Sequence, residues 1–127
     1  MATQQNLAIL TLLGASARTT SVDGSAVDLQ GYVNPGGRNI KAYLDVGAIT
    51  TAGPLTVKLQ DSDTTTAADF TDIGGAAFDG YTVSQTTPLN QTLHFRTSKR
   101  YVRAVAGFTN GGGHSFGVYL LAEKRVQ

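Results

Sequence analysis

The sequence has no cysteine and no tryptophan, and Glu123 is its only glutamate. Without cysteine the chain cannot form a disulfide, a thiolate metal site or a cysteine nucleophile, so packing alone must hold it together. Charge is also scarce, because charged residues make up 15% of the chain and the formal net charge is +1. Nucleic-acid binders usually carry a strong basic field, and we therefore expect no nucleic-acid partner.

Glycine and threonine are abundant instead, with 15 and 17 copies in 127 residues. This composition is poor in helix formers and rich in strand and turn residues, which predicts an all-β fold. Apolar and polar residues alternate most regularly at positions 55–60, where the apolar set is Leu55, Val57 and Leu59. A period of two indicates an antiparallel strand with one face in water.

The same alternation recurs at positions 26–33, 89–96 and 38–49, and in the last of these the apolar set is Ile40, Ala42, Leu44 and Val46. Two further strands are predicted at 100–108 and 114–123. Shorter pieces at 70–73 and 78–83 predict two short strands bridged by Gly74 and Gly75. Asn34-Pro35-Gly36-Gly37 predicts a turn, and residues 109–113 predict a glycine-rich hairpin or long loop. About eight strands at this spacing predict a single-domain antiparallel β-sandwich of jelly-roll type. An immunoglobulin-like sandwich is the alternative, although its tryptophan and cysteine pair are missing.

The N-terminal segment contains an apolar run, Leu7 to Leu13, followed by the small residues Ala15 and Ala17, as in a secretory signal. The basic region that precedes such a run is missing, and the run is too short to span a bilayer. We therefore predict an N-terminal arm or first strand over residues 1–20, a β-sandwich domain over residues 21–127, and no membrane partner.

Charge is unevenly distributed along the chain. Residues 45–79 hold six aspartates and one lysine, whereas residues 80–127 hold six basic residues and one acidic residue. Distant segments of a β-protein pair within one sheet, so the two charges can compensate inside one chain. Alternatively, an acidic edge meets a basic edge on a neighbouring subunit.

No motif in the sequence predicts a catalytic, cofactor or metal site. His94 and His114 have no spacing to a serine or carboxylate that marks a triad, and we expect both at the surface or at loop edges. The aspartates between Asp61 and Asp72 are dense enough for calcium, but they lack the glycine and glutamate of an EF-hand loop, and turn capping is the simpler interpretation. The segment Asn110–His114 lacks the lysine and following helix of a phosphate loop.

A basic run in the C-terminal third comprises Arg96, Lys99, Arg100 and Arg103, with Phe95 and Tyr101 interleaved. Such a run superficially resembles a platform for single-stranded nucleic acid. We interpret it as the solvated face of a strand or as a subunit contact. Together with the apolar N-terminal residues it defines our predicted assembly interface: Leu7, Ile9, Leu10, Leu12, Arg96, Arg100, Tyr101 and Arg103.

The strand-loop-strand VKLQDSDTTTAADFTDI and the later strand KRYVRAVAGF carry a family resemblance. Over residues 26–125 the chain resembles the small auxiliary head proteins of tailed bacteriophages, the capsid decoration or cement proteins of jelly-roll type. The resemblance implies a homotrimer made in the host cytoplasm that binds the major capsid protein on the outer capsid surface and stabilises capsomer contacts. It implies no enzyme activity and no cofactor, and it implies an N-terminal arm for which residues 1–20 are the candidate.

Two other functions remain open from the sequence. A tail or neck component of the virion shares this composition but assembles as a ring or tube. A carbohydrate-binding or receptor-binding β-sandwich needs exposed aromatic side chains on a sheet face or loop. The candidates for such a platform are Tyr32, Tyr43, Tyr81, Tyr101 and Tyr119, all on predicted strands.

Overall fold

The computed structural model describes residues 7–32, 40–51, 54–79, 90–108 and 113–123. In chain order the strands are β1 (Leu7–Arg18), β2 (Val22–Asp23), β3 (Val27–Asp28), β4 (Ile40–Thr51), β5 (Leu55–Ser62), β6 (Thr71–Ala77), β7 (Asn90–Phe95), β8 (Tyr101–Phe108) and β9 (Gly113–Glu123). A single turn of 3₁₀ helix, Ala67–Asp69, lies between β5 and β6. The all-β prediction is confirmed. Within the described ranges no helix is long and apolar enough to cross a membrane.

The strands pair into two antiparallel sheets. The four-stranded sheet has the order β1-β9-β4-β7, and the five-stranded sheet has the order β2-β8-β5-β6, with β3 also paired to β8. Because β2 and β3 pair with the same strand, they act as two parts of one edge strand. If β2 and β3 are counted as one strand, the chain has eight described strands. Numbered along the chain, their order is 1-8-3-6 in one sheet and 2-7-4-5 in the other. This is the order of a jelly roll, so the predicted architecture is confirmed.

The core forms where the alternating apolar residues of both sheets meet. In β5 the inward side chains of Leu55, Val57 and Leu59 are at most 2% exposed. The four inward residues predicted in β4 are also buried: Ile40, Ala42, Leu44 and Val46. In β8 and β9 the buried residues again follow a period of two: Val102, Ala104, Ala106, Phe116, Val118 and Leu120. The period of two therefore correctly predicted which side chains enter the core.

The predicted strand over residues 26–33 is mostly wrong. Among its described residues Val27–Asp28 forms a strand, a turn follows in which Gly31 has φ of 95°, and Tyr32 forms an isolated bridge. Leu29 is nevertheless fully buried, because its backbone N–H donates to the Arg100 carbonyl and holds the segment against β8. The predicted turn Asn34–Gly37 lies outside the described residues.

Two further expectations about connections need correction. Residues 71–77 form one strand through Gly74 and Gly75, and a register shift opposite Lys58 and Gln60 absorbs the extra residues. The predicted strand at 78–83 falls mostly outside the described part of the chain. A glycine-rich hairpin between the last two strands is also wrong, because β8 and β9 belong to different sheets.

The signal-like N-terminal run is the edge strand β1, and it pairs with β9 from Leu7 to Arg18. Two register shifts each add one residue to β1, and both Leu12 and Leu13 are buried as a result. Gly24 lies between this strand and β8, since its N–H donates to the Ala104 carbonyl at 2.7 Å. A Cβ atom at Gly24 would overlap the Leu12 carbonyl oxygen, so the approach requires glycine.

Candidate interaction surfaces

The outer face of the five-stranded sheet is covered by a polar network. Arg103 on β8 donates from Nε and Nη2 to Oε1 of Gln60 at 2.9 and 2.8 Å. Gln60 donates in turn to Asp72 at 2.8 Å, and Lys58 reaches the other oxygen of Asp72 at 3.0 Å. The Arg103 guanidinium also lies 4.5 Å from the centre of the Phe70 ring. This face therefore satisfies its polar groups within the chain.

Hydrogen bonding fixes the charge state of two aspartates in these networks. The Arg100 guanidinium, helped by the Gln30 backbone N–H, lowers the pKa of Asp28. The side chains of Gln60 and then Lys58 lower the pKa of Asp72. Both carboxylates are thus stabilised in the ionised form by partners from a neighbouring strand or turn.

The acidic segment 45–79 and the basic segment 80–127 contact each other within the same chain. Lys99 lies 3.1 Å from Asp63, and the Thr97 hydroxyl donates to Asp61. The structure therefore shows compensation within the chain for these charges. Arg100 and Arg103, two residues of the predicted assembly interface, hold Asp28 and Gln60 respectively, so their guanidinium groups are engaged within the chain.

The loop with the dense aspartates is held by turn hydrogen bonds. The Thr64 N–H donates to the Ser62 hydroxyl at 3.0 Å, and the Thr64 hydroxyl donates to Asp69 at 2.6 Å. The hydroxyls of Ser62 and Thr64 therefore cap this turn, whereas Asp69 accepts its bond from a side chain. Among the described residues no group of three histidine or acidic side chains is arranged to hold a metal ion.

The two histidines occupy different environments. His94 is exposed on β7, as predicted. His114 is 1% exposed, and its ring stacks on Phe108 with centroids 5.6 Å apart. The prediction that His114 lies at the surface is therefore wrong. It failed because β9 is an inner strand of its sheet, flanked by β1 and β4, which sequence spacing does not reveal.

The apolar N-terminal residues of the predicted interface separate into two groups. Leu12 is 1% exposed and belongs to the core, and Leu10 packs half-buried against it. Ile9 points outward with 73% of its surface exposed, more than any other large hydrophobic residue of the described ranges. Of this predicted set, Ile9 is therefore available to a partner, whereas Leu12 is used inside the domain.

Within the described residues, the stretch Leu7–Thr11 is an open sheet edge. It pairs in regular register with Glu123 through Tyr119 on one side, and in the described part of the chain β1 pairs with β9 alone. The stretch contains no charged residue and no proline, and the first register shift begins only after Thr11. Proteins usually protect such edges with lysine, proline or bulges. The edge is thus suited to pairing with another chain.

A groove of ≈ 500 Å³ crosses the outer face of the four-stranded sheet. It draws on all four strands, and its lining consists of Ile9, Lys41, Tyr43, Asp45, Thr92, Tyr119, Leu120 and Leu121. The outward residues of successive strands lie in rows across the sheet, with Tyr43 directly opposite both Tyr119 and Thr92. This face therefore differs from the network-covered face of the other sheet.

Tyr119 lies flat in this groove because Gly117 leaves room for it. A Cβ atom on Gly117 would come within 2.6 Å of the Tyr119 hydroxyl and 3.0 Å of two ring carbons. Sequence reasoning placed both tyrosines on strands but did not bring them together. Two features of the sequence could have indicated this site. Alternation places both tyrosines on the outward face of their strands, and Gly117 lies two positions before Tyr119 on the same face.

Comparisons with known proteins add structural likenesses only. No family model matches the chain, and no curated protein matches it. Among solved structures, the CBM22-1 xylan-binding domain of Paenibacillus barcinonensis Xyn10C is similar over 100% of both chains, with 7% identity and a TM-score of 0.45. A structure of infectious bursal disease virus covers 94% of this chain and 32% of its own, with 12% identity and a TM-score of 0.47.

The K1 cleaved adhesin domain of Lys-gingipain from Porphyromonas gingivalis is a further similar structure. It matches 97% of this chain and 85% of its own, with 16% identity and a TM-score of 0.45. At these identities and scores, function must be argued from the surfaces of this chain itself.

Proposed function

We propose that this protein is a structural virion protein that decorates the outer surface of a tailed-phage capsid. In this role it binds the major capsid protein as a homotrimer and stabilises contacts between capsomers, and it carries out no catalysis. The family resemblance of residues 26–125 supplies the specific role. The jelly-roll topology agrees with the fold that the resemblance implies.

The observation that carries the proposal is the open edge Leu7–Thr11 of β1. An uncharged and regular edge presents backbone N–H and C=O groups to any strand that approaches it. Pairing with a strand of a neighbouring chain satisfies these groups and covers Ile9, whose side chain is 73% exposed in the single chain. Repeated copies on a shell then convert modest contacts into firm attachment.

The charge distribution agrees with attachment through this edge. The ion pairs between Asp28 and Arg100 and between Asp63 and Lys99 close within one chain. The basic run is consequently used for the domain's own structure, and strand pairing supplies the contact between chains. A tail or neck component would use the same edge, but it would assemble as a ring or an open stack.

The test places a lysine on the edge. Thr11 is exposed at the last regular pair of β1, and we expect Thr11→Lys to block strand addition without unfolding the protein. Light scattering should show a loss of the trimer, and binding to undecorated phage heads should fall. The matched control is Thr20→Lys, which adds the same charge to an exposed residue beyond β1.

Three results would contradict this proposal. They are a monomeric wild-type protein that does not bind heads, a Thr11→Lys variant that assembles and binds as well as wild type, and a closed ring of higher order. The ring would favour the tail or neck function. Equal losses in Thr11→Lys and Thr20→Lys would show that added charge, and not edge pairing, weakens attachment.

A further inference from the structure

We infer that the groove on the outer face of the four-stranded sheet binds a neutral oligosaccharide chain, a function separate from attachment to the capsid. The groove opens on the sheet face, whereas the proposed attachment uses the backbone edge of β1. The inference rests on three features: a flat aromatic platform, a second aromatic residue directly across the strands, and a polar rim without net charge.

The platform is the ring of Tyr119. The hydroxyl end of this ring lies against Gly117, where a Cβ atom would clash with the hydroxyl and two ring carbons. The ring also lines the groove and is half-buried. The part of the ring that stays exposed offers aromatic surface in the groove, and the C–H face of a sugar ring stacks on such a surface.

Tyr43 extends the platform across the sheet. It is the direct cross-strand neighbour of Tyr119 in the β4–β9 register, and the same row continues to Thr92 on β7. Neighbouring strands lie about 4.8 Å apart, so this row spaces its side chains at intervals comparable to the width of a sugar ring. A saccharide chain running across the strands can therefore contact Tyr119, Tyr43 and Thr92 in succession.

The rim of the groove provides hydrogen-bonding groups for hydroxyls. Lys41 and Asp45 are exposed on either side of Tyr43 along β4, about 13 Å apart. One positive and one negative group give the rim no net charge, which favours a neutral sugar over an acidic one. Leu121 contributes an apolar wall, and an apolar lining with a few polar groups is typical of ligand sites.

The other sheet offers no comparable surface in the described residues. On its outer face Arg103, Gln60 and Asp72 bond to one another, and Arg103 covers the Phe70 ring. A sugar hydroxyl there would have to displace bonds that are already formed. The asymmetry between the two faces places the saccharide on the four-stranded sheet.

The test is affinity electrophoresis of the full chain through gels containing a soluble neutral β-glucan, a mannan or a galactan, with an acidic pectin for comparison. We expect retardation in at least one neutral gel and little in pectin. Tyr43→Ala and Tyr119→Ala should each weaken binding about tenfold. Gly117→Ala should weaken it as well, because its methyl group displaces the Tyr119 ring, the end of a flexible side chain.

Tyr101→Ala is the matched control, since Tyr101 lies on β8 of the other sheet and should not affect retardation. Thermal unfolding of each variant confirms that the fold is kept. The inference is overturned if no neutral gel retards the wild type, or if folded Tyr43→Ala and Tyr119→Ala variants bind sugar like wild type. It is also overturned if Tyr43→Ala weakens only head binding, which would make the groove a protein contact. Loss of sugar binding in Tyr43→Ala with head binding intact would separate the two functions.

Discussion

Arg100 binds Asp28 at two points: its Nε lies 2.9 Å from Oδ1, and its Nη2 lies 2.8 Å from Oδ2. The pair joins β3 to the residue that precedes β8, next to the hydrogen bond from the Leu29 N–H to the Arg100 carbonyl. The pair therefore holds β3 in place, next to the buried Leu29. Parallel bonds between a guanidinium and a carboxylate combine charge with fixed geometry.

Replacing Asp28 should make the free energy of unfolding depend less on pH in the acid range. The Arg100 hydrogen bond lowers the pKa of Asp28 below its ordinary 3.8, so ionised Asp28 stabilises the folded chain at neutral pH. This contribution is lost as pH falls through the lowered pKa. We expect Asp28→Asn to cost up to about 1 kcal/mol at pH 7, because both side chains are more than 40% exposed. Chemical denaturation at pH 7 and below pH 3 measures the difference, which should shrink in acid.

Asp45→Asn is the control for this measurement, since it removes an exposed carboxylate from the outer face of β4. It should change stability little at either pH. If Asp28→Asn were as stable as wild type at pH 7, or if its deficit persisted in strong acid, the Arg100 pair would not be the source of the effect.

Leu120 and Leu121 are neighbours in β9 with opposite orientations. Leu120 is 1% exposed in the core, whereas Leu121 lines the outer groove. Leu120→Ala should therefore lower the free energy of unfolding by about 2–5 kcal/mol, since it leaves a cavity. Leu121→Ala should cost less than about 1 kcal/mol. Urea unfolding of both variants checks the assignment, and equal losses would contradict the strand's orientation.

Gly24 should tolerate no side chain. A Cβ atom there would overlap the Leu12 carbonyl and lie 3.3 Å from the Ala104 carbonyl, and neither backbone atom can move freely. We expect Gly24→Ala to cost about 1–3 kcal/mol. Gly14→Ala is the matched control, because no atom lies within 4 Å of its Cβ position. Differential scanning calorimetry should show a lower unfolding temperature for Gly24→Ala alone, and a similar drop in both would refute the close approach.

Gln60 should be important for the polar network on the five-stranded sheet. Its amide accepts two hydrogen bonds from Arg103, whose side chain is only 13% exposed, and donates one to Asp72. Gln60→Ala should therefore cost about 1.5–3 kcal/mol, the range for hydrogen bonds to charged groups. Thr56→Ala, on the same strand and face, should cost less. Guanidinium denaturation compares them, and equal stabilities would show that the network contributes little.

Local alternation predicted most of the sandwich. In β4, β5, β8 and β9 the inward residues are those that the period of two selects, because one face of each strand must leave water. The 26–33 segment shows where this reasoning fails. Val27 and Leu29 follow the pattern, but the regular strand ends at Asp28, Gly31 turns the chain, and Tyr32 forms an isolated bridge. Whether a segment pairs depends on a partner elsewhere in the sequence.

The candidate sites were harder to predict from the sequence than the fold was. The N-terminal apolar run was recognised, yet its division into the buried Leu12 and the exposed Ile9 depends on the bulges of β1. Tyr43 and Tyr119 are 76 positions apart in the sequence, and only the β4–β9 register makes them neighbours. No local pattern encodes that register.

By itself the sequence determined the all-β class, the inward residues of the long strands and the absence of cysteine chemistry, because composition and a period of two depend only on nearby residues. The tertiary structure decided which strands share a sheet. It thereby buried His114, enclosed Arg100 and Arg103 in hydrogen bonds within the chain, and assembled the tyrosine groove. These outcomes arise from long-range pairing, in which each strand's surroundings are supplied by residues far away in the chain.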